Sequence, residues 1–241
     1  MMNREEDTAV AGTDHSDPAS LAPYIQHTAI SAGMTRDDLV AHCEEAVRYG
    51  FNAAMIPASW AGLAADVLRG TGVTVASALD FPTVGVMTSR GKAAEARAIA
   101  EAGAEQIDMG VQVGWLRSGM EKEFREDIAG VVAAGVPVKV MLELPLLTED
   151  ERERAVELAM DAGAAYLKNA SSGSVEVANP ESIAYLAARV RDGVRVKASG
   201  GIKTLEQARA LLDAGASLLG TSSGVAIVTS GRDGGQARTD Y

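Results

Sequence analysis

Residues 194–224 hold one complete structural unit and the start of the next: Val194-Arg195-Val196-Lys197, then Ser199-Gly200-Gly201-Ile202-Lys203, then Leu205 to Ala214, Gly215, Ser217-Leu218-Leu219 and Gly220-Thr221-Ser222-Ser223-Gly224. A short apolar run fits a strand, and the Leu/Ala/Arg/Glu stretch fits an amphipathic helix. Gly215 falls where a helix ends and a left-handed residue is favoured. A second apolar run and a second glycine-rich turn follow. Strand, helix and strand in this order form a βαβ unit, whose strands lie parallel.

Working outward, the same unit recurs. Strand-like runs occupy Tyr24–Thr28, Ala53–Ile56, Val73–Leu79, Gln106–Met109, Val136–Leu142, Ala164–Leu167, Val194–Lys197 and Ser217–Leu219. Helical patterns include Thr35–Tyr49, Ala93–Ala102, Glu121–Ala133, Glu149–Met160 and Leu205–Ala214, while the stretch after Gly220 signals a helix only weakly. Gly50, Gly103, Gly135, Gly163 and Gly215 each close a helix, and Ala-Gly-Ala recurs at 102–104, 162–164 and 214–216. Eight units of roughly 26 residues suit a (β/α)8 barrel. Runs that read as apolar throughout imply strands covered on both faces. A doubly wound sheet would carry a glycine-rich turn after its first strand, and none follows Thr28. The expected fold is therefore an α/β (β/α)8 barrel over residues 19–229, with its site at the C-terminal ends of the strands.

The ends of the chain read differently. Residues 1–18 carry Glu5, Glu6, Asp7, Asp14 and Asp17 against Arg4 alone, which predicts a disordered acidic tail. Residues 230–241 are rich in Gly, Arg and Asp and predict a flexible tail ending in Tyr241. A net charge of −11 argues against a nucleic-acid binder. The sequence contains neither a membrane-length apolar run nor a secretory signal pattern, so a cytoplasmic protein is expected. With one cysteine, Cys43, and three scattered histidines, His15, His27 and His42, no metal centre is expected.

Lysine is scarce, at six residues against sixteen arginines. Three of the six, Lys139, Lys168 and Lys197, lie in or at the end of the fifth, sixth and seventh strand runs. In a barrel they converge on one mouth. Burial and a neighbouring ammonium both favour the neutral amine, which is a nucleophile toward carbonyl carbon. The alternative is three snorkelling lysines with their heads in solvent or paired to carboxylates. Asp108 closes the fourth strand and is a candidate proton shuttle, or a simple counter-ion. Glu143, after the fifth strand, is a weaker candidate of the same kind. Two glycine-rich turns follow the seventh and eighth strands, where barrels commonly bind phosphate. Gly200, Gly201, Lys203, Gly220, Ser222 and Ser223 are the candidate phosphate-binding residues.

From about Ile25 to Val228 the sequence resembles the deoxyribose-phosphate aldolase family, class I aldolases with a TIM-barrel fold. The resemblance rests on Val196-Lys197-Ala198-Ser199-Gly200-Gly201-Ile202-Lys203, Gly220-Thr221-Ser222-Ser223-Gly224, Gln106-Ile107-Asp108-Met109, Val138-Lys139-Val140 and Gly163-Ala164-Ala165-Tyr166-Leu167-Lys168. It implies that Lys168 forms the Schiff base, that Lys197 tunes Lys168, and that Asp108 relays protons. It adds Lys139 as a further active-site lysine and Tyr241 as a tail-borne acid/base. The implied reaction is reversible cleavage of 2-deoxy-D-ribose 5-phosphate to glyceraldehyde 3-phosphate and acetaldehyde, with no cofactor and no metal. The implied partners are a sugar phosphate and a small aldehyde, and a second copy of the chain is a candidate homodimer partner.

The sequence also departs from the family pattern. Asn169-Ala170-Ser171-Ser172-Gly173 stands where the family reads Thr-Ser-Thr-Gly. Gln26 replaces an aspartate, Met55 a cysteine, Pro57-Ala58 an Asn-Pro, and Asp80 a glycine. These changes keep two alternatives open: an aldolase of the same mechanism with a different acceptor, and a non-catalytic barrel that binds a phosphorylated metabolite. Met87, Met109, Met120, Met141, Trp60, Trp115 and Cys43 read as packing residues. His27 and Thr28 read equally as substrate contacts or as structural groups.

Overall fold

A computed structural model describes residues 15–230. Tyr241, most of the C-terminal segment 230–241, and residues 1–14 lie outside the described residues. A short 3-10 turn, Pro18–Tyr24, leads into β1 (Ile25–Thr28) and α1 (Arg36–Tyr49). There follow β2 (Ala53–Ile56), α2 (Ala61–Leu68), β3 (Thr74–Leu79), α3 (Ser89–Glu101) and β4 (Gln106–Gly110). Two helices, α4 (Val113–Arg117) and α5 (Glu121–Val132), precede β5 (Val138–Met141), α6 (Glu149–Asp161), β6 (Tyr166–Lys168) and α7 (Pro180–Ala187). The last units are β7 (Arg195–Ser199), α8 (Leu205–Asp213), β8 (Leu218–Thr221) and the five-residue α9 (Gly224–Val228). The eight strands are parallel and close in sequence order into a barrel, with β1 sealing onto β8. The (β/α)8 expectation holds. No helix among the described residues is long and apolar enough to cross a membrane.

Local sequence accounts for the helix boundaries. Thr35, Thr148 and Thr204 cap α1, α6 and α8 in reciprocal capping boxes with Asp38, Glu151 and Gln207. Thr88 caps α3 through Gly91, so that helix starts four residues before the expected Ala93. The five helix-closing glycines all have positive φ. At Gly103 the requirement is double, because φ is +110° and an added Cβ would lie 2.6 Å from Ala65 Cβ. Gly215 meets Ala187 at the same distance. In the Ala-Gly-Ala repeats at 103 and 215, the glycine therefore lets one helix end against its neighbour.

Strand register fixes the faces. Gln26 pairs with Ala53 and Gly220, Ala78 with Asp108, Asp108 with Lys139, and Lys168 with Lys197. Registered partners on parallel strands point the same way, so all of these line the barrel interior. The opposite faces carry Ile107, Val140, Leu167, Val196 and Leu219, which are buried in the main core under the helices. Each such side chain contributes about 1.5–3 kcal/mol by burial. The interior is divided. Ala53, Met55 and Ala76 form a separate apolar cluster against Ile30 and Ala78, while the β4–β7 side is charged. The strands are therefore not apolar throughout: their outward residues are mostly apolar, with His27, Ser77 and Thr221 as exceptions, and the inward ones of β4–β7 include the charged groups.

The acidic tail expected over 1–18 overlaps the described residues at 15–18, and there the chain is held. Asp17 caps the Pro18–Tyr24 turn by accepting from Ala19 N. Arg209 of α8 donates to the carbonyls of His15 and Ser16.

Candidate active site

Three lysines on adjacent strands meet one carboxylate. Asp108 Oδ2 accepts from Lys197 Nζ at 2.7 Å and from Lys168 Nζ at 3.0 Å. Asp108 Oδ1 lies 3.3 Å from Lys139 Nζ. Asp108, Lys139 and Lys197 are buried, and Lys168 alone keeps a small exposed fraction, 6%. The heads are thus not in solvent: Lys168 faces the opening, and Lys139 and Lys197 sit below it. Burial alone would raise the Asp108 pKa, but the charges of Lys197, Lys168 and Lys139 outweigh it and hold the carboxyl far below the usual range. Burial pushes Lys197 well down, only partly offset by Asp108. Lys139 is pushed down in the same way. Lys139 Nζ also lies 5.8 Å from the centroid of the Tyr166 ring, which Arg195 covers at 4.4 Å from the other end of the barrel.

Gln26 completes the cluster. Its Oε1 accepts from Lys197 Nζ at 2.7 Å, and its Nε2 donates to Gln106 Oε1 at 2.8 Å and Asn52 Oδ1 at 3.1 Å. Lysine can only donate, which fixes the amide's orientation. Glu143 has φ +54° and accepts from Ser171 N at 2.7 Å, so it ties the end of β5 to the β6–α7 loop instead of joining Asp108. Burial raises its pKa.

The two glycine-rich turns lie side by side beyond β7 and β8. The backbone N–H groups of Gly201, Ile202 and Ser222 have no acceptor among the described residues, and neither has that of Gly173 across the β6–α7 loop. Ser223 N is already spent on Thr221 Oγ1. The start of α8 is also filled, because Gln207 Oε1 accepts from Lys203 N and Thr204 N. This helix start therefore adds no free donor at Lys203, whose side chain is exposed. Gly220 lies inside the barrel: an added Cβ would fall 2.2 Å from Ser199 Oγ and 3.0 Å from Lys197 Cε. Its place in the structure is a close approach to the lysine strand.

Several groups lie outside what sequence reasoning singled out. Asn169, the first residue of the altered segment, accepts from Ser199 N and donates to Ser199 O and Glu176 Oε2. It thereby pins the β6–α7 loop to β7. Lys92, Asp80 and Asp127 form a buried ion cluster, with Lys92 Nζ 3.0 and 2.8 Å from the two carboxylates and bonded to Gly110 O. Asp80 holds φ +53° where the family carries glycine, and its carboxylate accepts from the N–H groups of Gly85, Val86 and Met87. The scarcity of lysine was the one sequence signal that could have flagged Lys92.

His27, His42 and Glu45 also come together, with donor atoms within 4.8 Å of one another. His27 Nε2 bonds Glu45 Oε2 at 2.7 Å, His42 Nε2 bonds His27 O at 3.1 Å, and the imidazole rings stack at 4.4 Å. Stacked rings send their in-plane lone pairs side by side, which is poor geometry for a shared ion. Burial, with a smaller contribution from His27, lowers the His42 pKa from 6.5 to about 4. Between those values the unfolded chain binds more protons than the folded one. Stability is therefore full above pH 6.5 and falls as the pH drops toward 4. The expected loss from His42 is about 2 kcal/mol by pH 5. Urea unfolding of the parent and of His42→Gln at pH 7.5 and 5 checks it, since the variant's drop should be smaller by that amount.

No family model matches the chain. It is 45% identical to a deoxyribose-phosphate aldolase of Methanothermobacter thermautotrophicus over 210 residues, covering 86% of this chain and 93% of that protein. It is 40% identical to one of a Geobacillus species over 225 residues, covering 92% and 99%. Among solved structures, the deoxyribose phosphate aldolase of Aeropyrum pernix, a tetramer, superposes with a TM-score of 0.81 at 30% identity, covering 90% of this chain and 93% of that one. With the barrel closed and the Asp108 lysine cluster inside it, similarity of this depth along almost the whole length shows that the chain belongs to the deoxyribose-phosphate aldolase family.

Proposed function

We propose that this barrel cleaves 2-deoxy-D-ribose 5-phosphate reversibly to glyceraldehyde 3-phosphate and acetaldehyde through a Schiff base on Lys168. One observation carries the reading: Lys168 and Lys197 donate to the same oxygen, Asp108 Oδ2. Burial, and to a lesser degree the neighbouring lysines, push Lys197 well below the ordinary lysine range, so it can exchange a proton with Asp108. Lys168 lies at the opening, where its nitrogen can meet a carbonyl carbon. Lys168 Nζ adds to the C1 aldehyde, and the proton it sheds passes through Asp108 to the new carbinolamine oxygen. The carbinolamine oxygen takes up a proton and leaves as water, giving an iminium. The C3 hydroxyl gives up its proton, the C2–C3 bond breaks, and its electron pair moves into the iminium to form an enamine. Glyceraldehyde 3-phosphate departs. The enamine is protonated on carbon and hydrolysed, which releases acetaldehyde and Lys168.

The unspent N–H groups of Gly201, Ile202, Ser222 and Gly173 suit the phosphate oxygens. Lys203 adds charge at the rim. A second reading keeps the chemistry and changes the acceptor: the Glu176 carboxylate, held by Asn169 and Ser182, belongs to the loop packed on Gly200. A carboxylate there disfavours a dianion. The proposal also sets the enzyme in the cytoplasm, where Cys43, a buried thiol pushed up to about 11, stays reduced.

Borohydride added with acetaldehyde should reduce the imine and leave one ethyl group on Lys168, read by intact mass and peptide mapping. An active protein that acquires no adduct, or acquires it on another lysine, would overturn the proposal. A panel of phosphorylated and unphosphorylated acceptor aldehydes decides between the two acceptors.

A further inference from the structure

Glu143 lies just past the end of β5, 2% exposed, with a left-handed backbone at φ +54°. A residue other than glycine takes that conformation at a cost, so its side chain must offset the strain. The side chain makes one hydrogen bond to the loop after the next strand: Ser171 N donates to Glu143 Oε1 at 2.7 Å. The main chain leads up to this bond. Leu142 N donates to Lys168 O and Leu144 N to Asn169 O, so β5 and β6 stay joined beyond their last paired residues. Glu143 extends the join to the third residue after Lys168.

Beyond Ser171 the loop crosses to β7. The Ser172–Gly173 peptide lies on Gly200: a Cβ on Gly200 would fall 3.3 Å from Ser172 C and from Gly173 N. A Cβ on Gly173 would fall 3.0 Å from Gly201 N. The missing side chains therefore let the unspent N–H groups of Gly173 and Gly201 come together. On the β7 side the loop is fastened by Asn169 to Ser199 and by Ala178 N to Gly200 O. Among the described residues, the hydrogen bond that holds residues 171–177 to the β5 side is the one from Ser171 N to Glu143.

We propose that Glu143 is a positioning residue for the phosphate end of the substrate: by holding Ser171 N, it sets the Gly173 N–H, two residues on, beside the Gly201 N–H, so that both can donate to one phosphate. The inference rests on reading these N–H groups as phosphate donors, and it goes further by naming the side chain that places the β6–α7 donor. Glu143 takes no part in proton transfer, because its oxygen is engaged with a backbone N–H.

The test compares 2-deoxyribose 5-phosphate with 2-deoxyribose, which lacks the phosphate, on the intact protein. Glu143→Ala removes the acceptor. It should raise KM for the phosphorylated sugar about tenfold, the effect of misplacing one hydrogen bond to a charged group, with kcat little changed. For 2-deoxyribose, kcat/KM should stay within about twofold of the parent's. Glu143→Gln keeps an acceptor oxygen at the same reach, so it should hold the parent's preference for the phosphorylated sugar to within about threefold. A residue needed only for the fold would lower both substrates alike in Glu143→Ala. A general acid or base would fail in Glu143→Gln as well, again on both substrates. Either pattern overturns the inference. If Glu143→Ala does not fold, Glu143→Gly, which suits the left-handed backbone, is read by the same criteria. A parent with no preference for the phosphorylated sugar overturns the phosphate reading and this inference with it. A parent that prefers it, with a Glu143→Ala that prefers it equally, overturns this inference alone.

Discussion

Lys168→Ala should lower kcat/KM for 2-deoxyribose 5-phosphate cleavage by about 10⁴-fold or more while leaving a folded barrel. Removing the nucleophile of a covalent mechanism typically costs several orders of magnitude, because the remaining groups were arranged to serve it. The fold should survive for an electrostatic reason. Lys168 is one of three lysines around Asp108, so its loss leaves Lys197 as the principal partner. The space it vacates is at the opening, where water can enter. The thermal midpoint should stay within a few degrees of the parent's or rise, as expected when about 1 kcal/mol or less is at stake in a barrel of this size. Activity retained within about tenfold would place the nucleophile elsewhere. Loss of activity accompanied by unfolding would make Lys168 a structural residue.

The fold was legible because it is written locally. Threonine caps, a glycine closing five of the helices and apolar runs of strand length repeat along the chain, and each needs only its neighbours in sequence to be read. The convergence of Lys139, Lys168 and Lys197 was also legible, because strand order and strand-end position determine what meets inside a barrel. Contacts between side chains distant in sequence were not. Gln26 and Lys197 are 171 residues apart, and nothing in the periodicity of β1 marks Gln26 as more than an interruption. Asp80 read as a departure from a glycine pattern. Its positive φ and its bond to Lys92 show that the backbone conformation was kept and a buried counter-ion added. The three histidines read as scattered, yet β1 and α1 place His27 and His42 face to face. The two glycine-rich turns lie side by side, but their sequence does not tell which of their N–H groups are free. Whether an N–H is free depends on Thr221 and Gln207, whose side-chain directions a motif does not encode.

Asp108→Asn should be the most damaging conservative substitution in the molecule, in both stability and rate. The amide keeps the volume but removes the charge that holds Lys139, Lys168 and Lys197 together. Breaking a buried ion pair by neutralising one partner costs about 3–5 kcal/mol, because the remaining charge is left uncompensated. Here the amines can escape part of that cost by giving up their protons, which determines the pH dependence. In the variant, Lys139 and Lys197, already pushed down by burial, lose the carboxylate that partly holds them up, and so fall further below the unfolded chain. Through the neutral and alkaline range the unfolded state therefore binds more protons than the folded one, and stability rises with pH. The gap between parent and variant should be widest near pH 7 and narrow toward pH 10, as urea midpoints at the two pH values will show. If Asp108 relays protons as proposed, the rate should fall by about 10²–10⁴-fold, the usual contribution of a positioned proton-transfer group, and raising the pH should not restore it, because the oxygen that takes the proton Lys168 sheds would be gone. Full recovery of the rate at pH 10 would mean that Asp108 acts only as a counter-ion, and the relay would have to be abandoned.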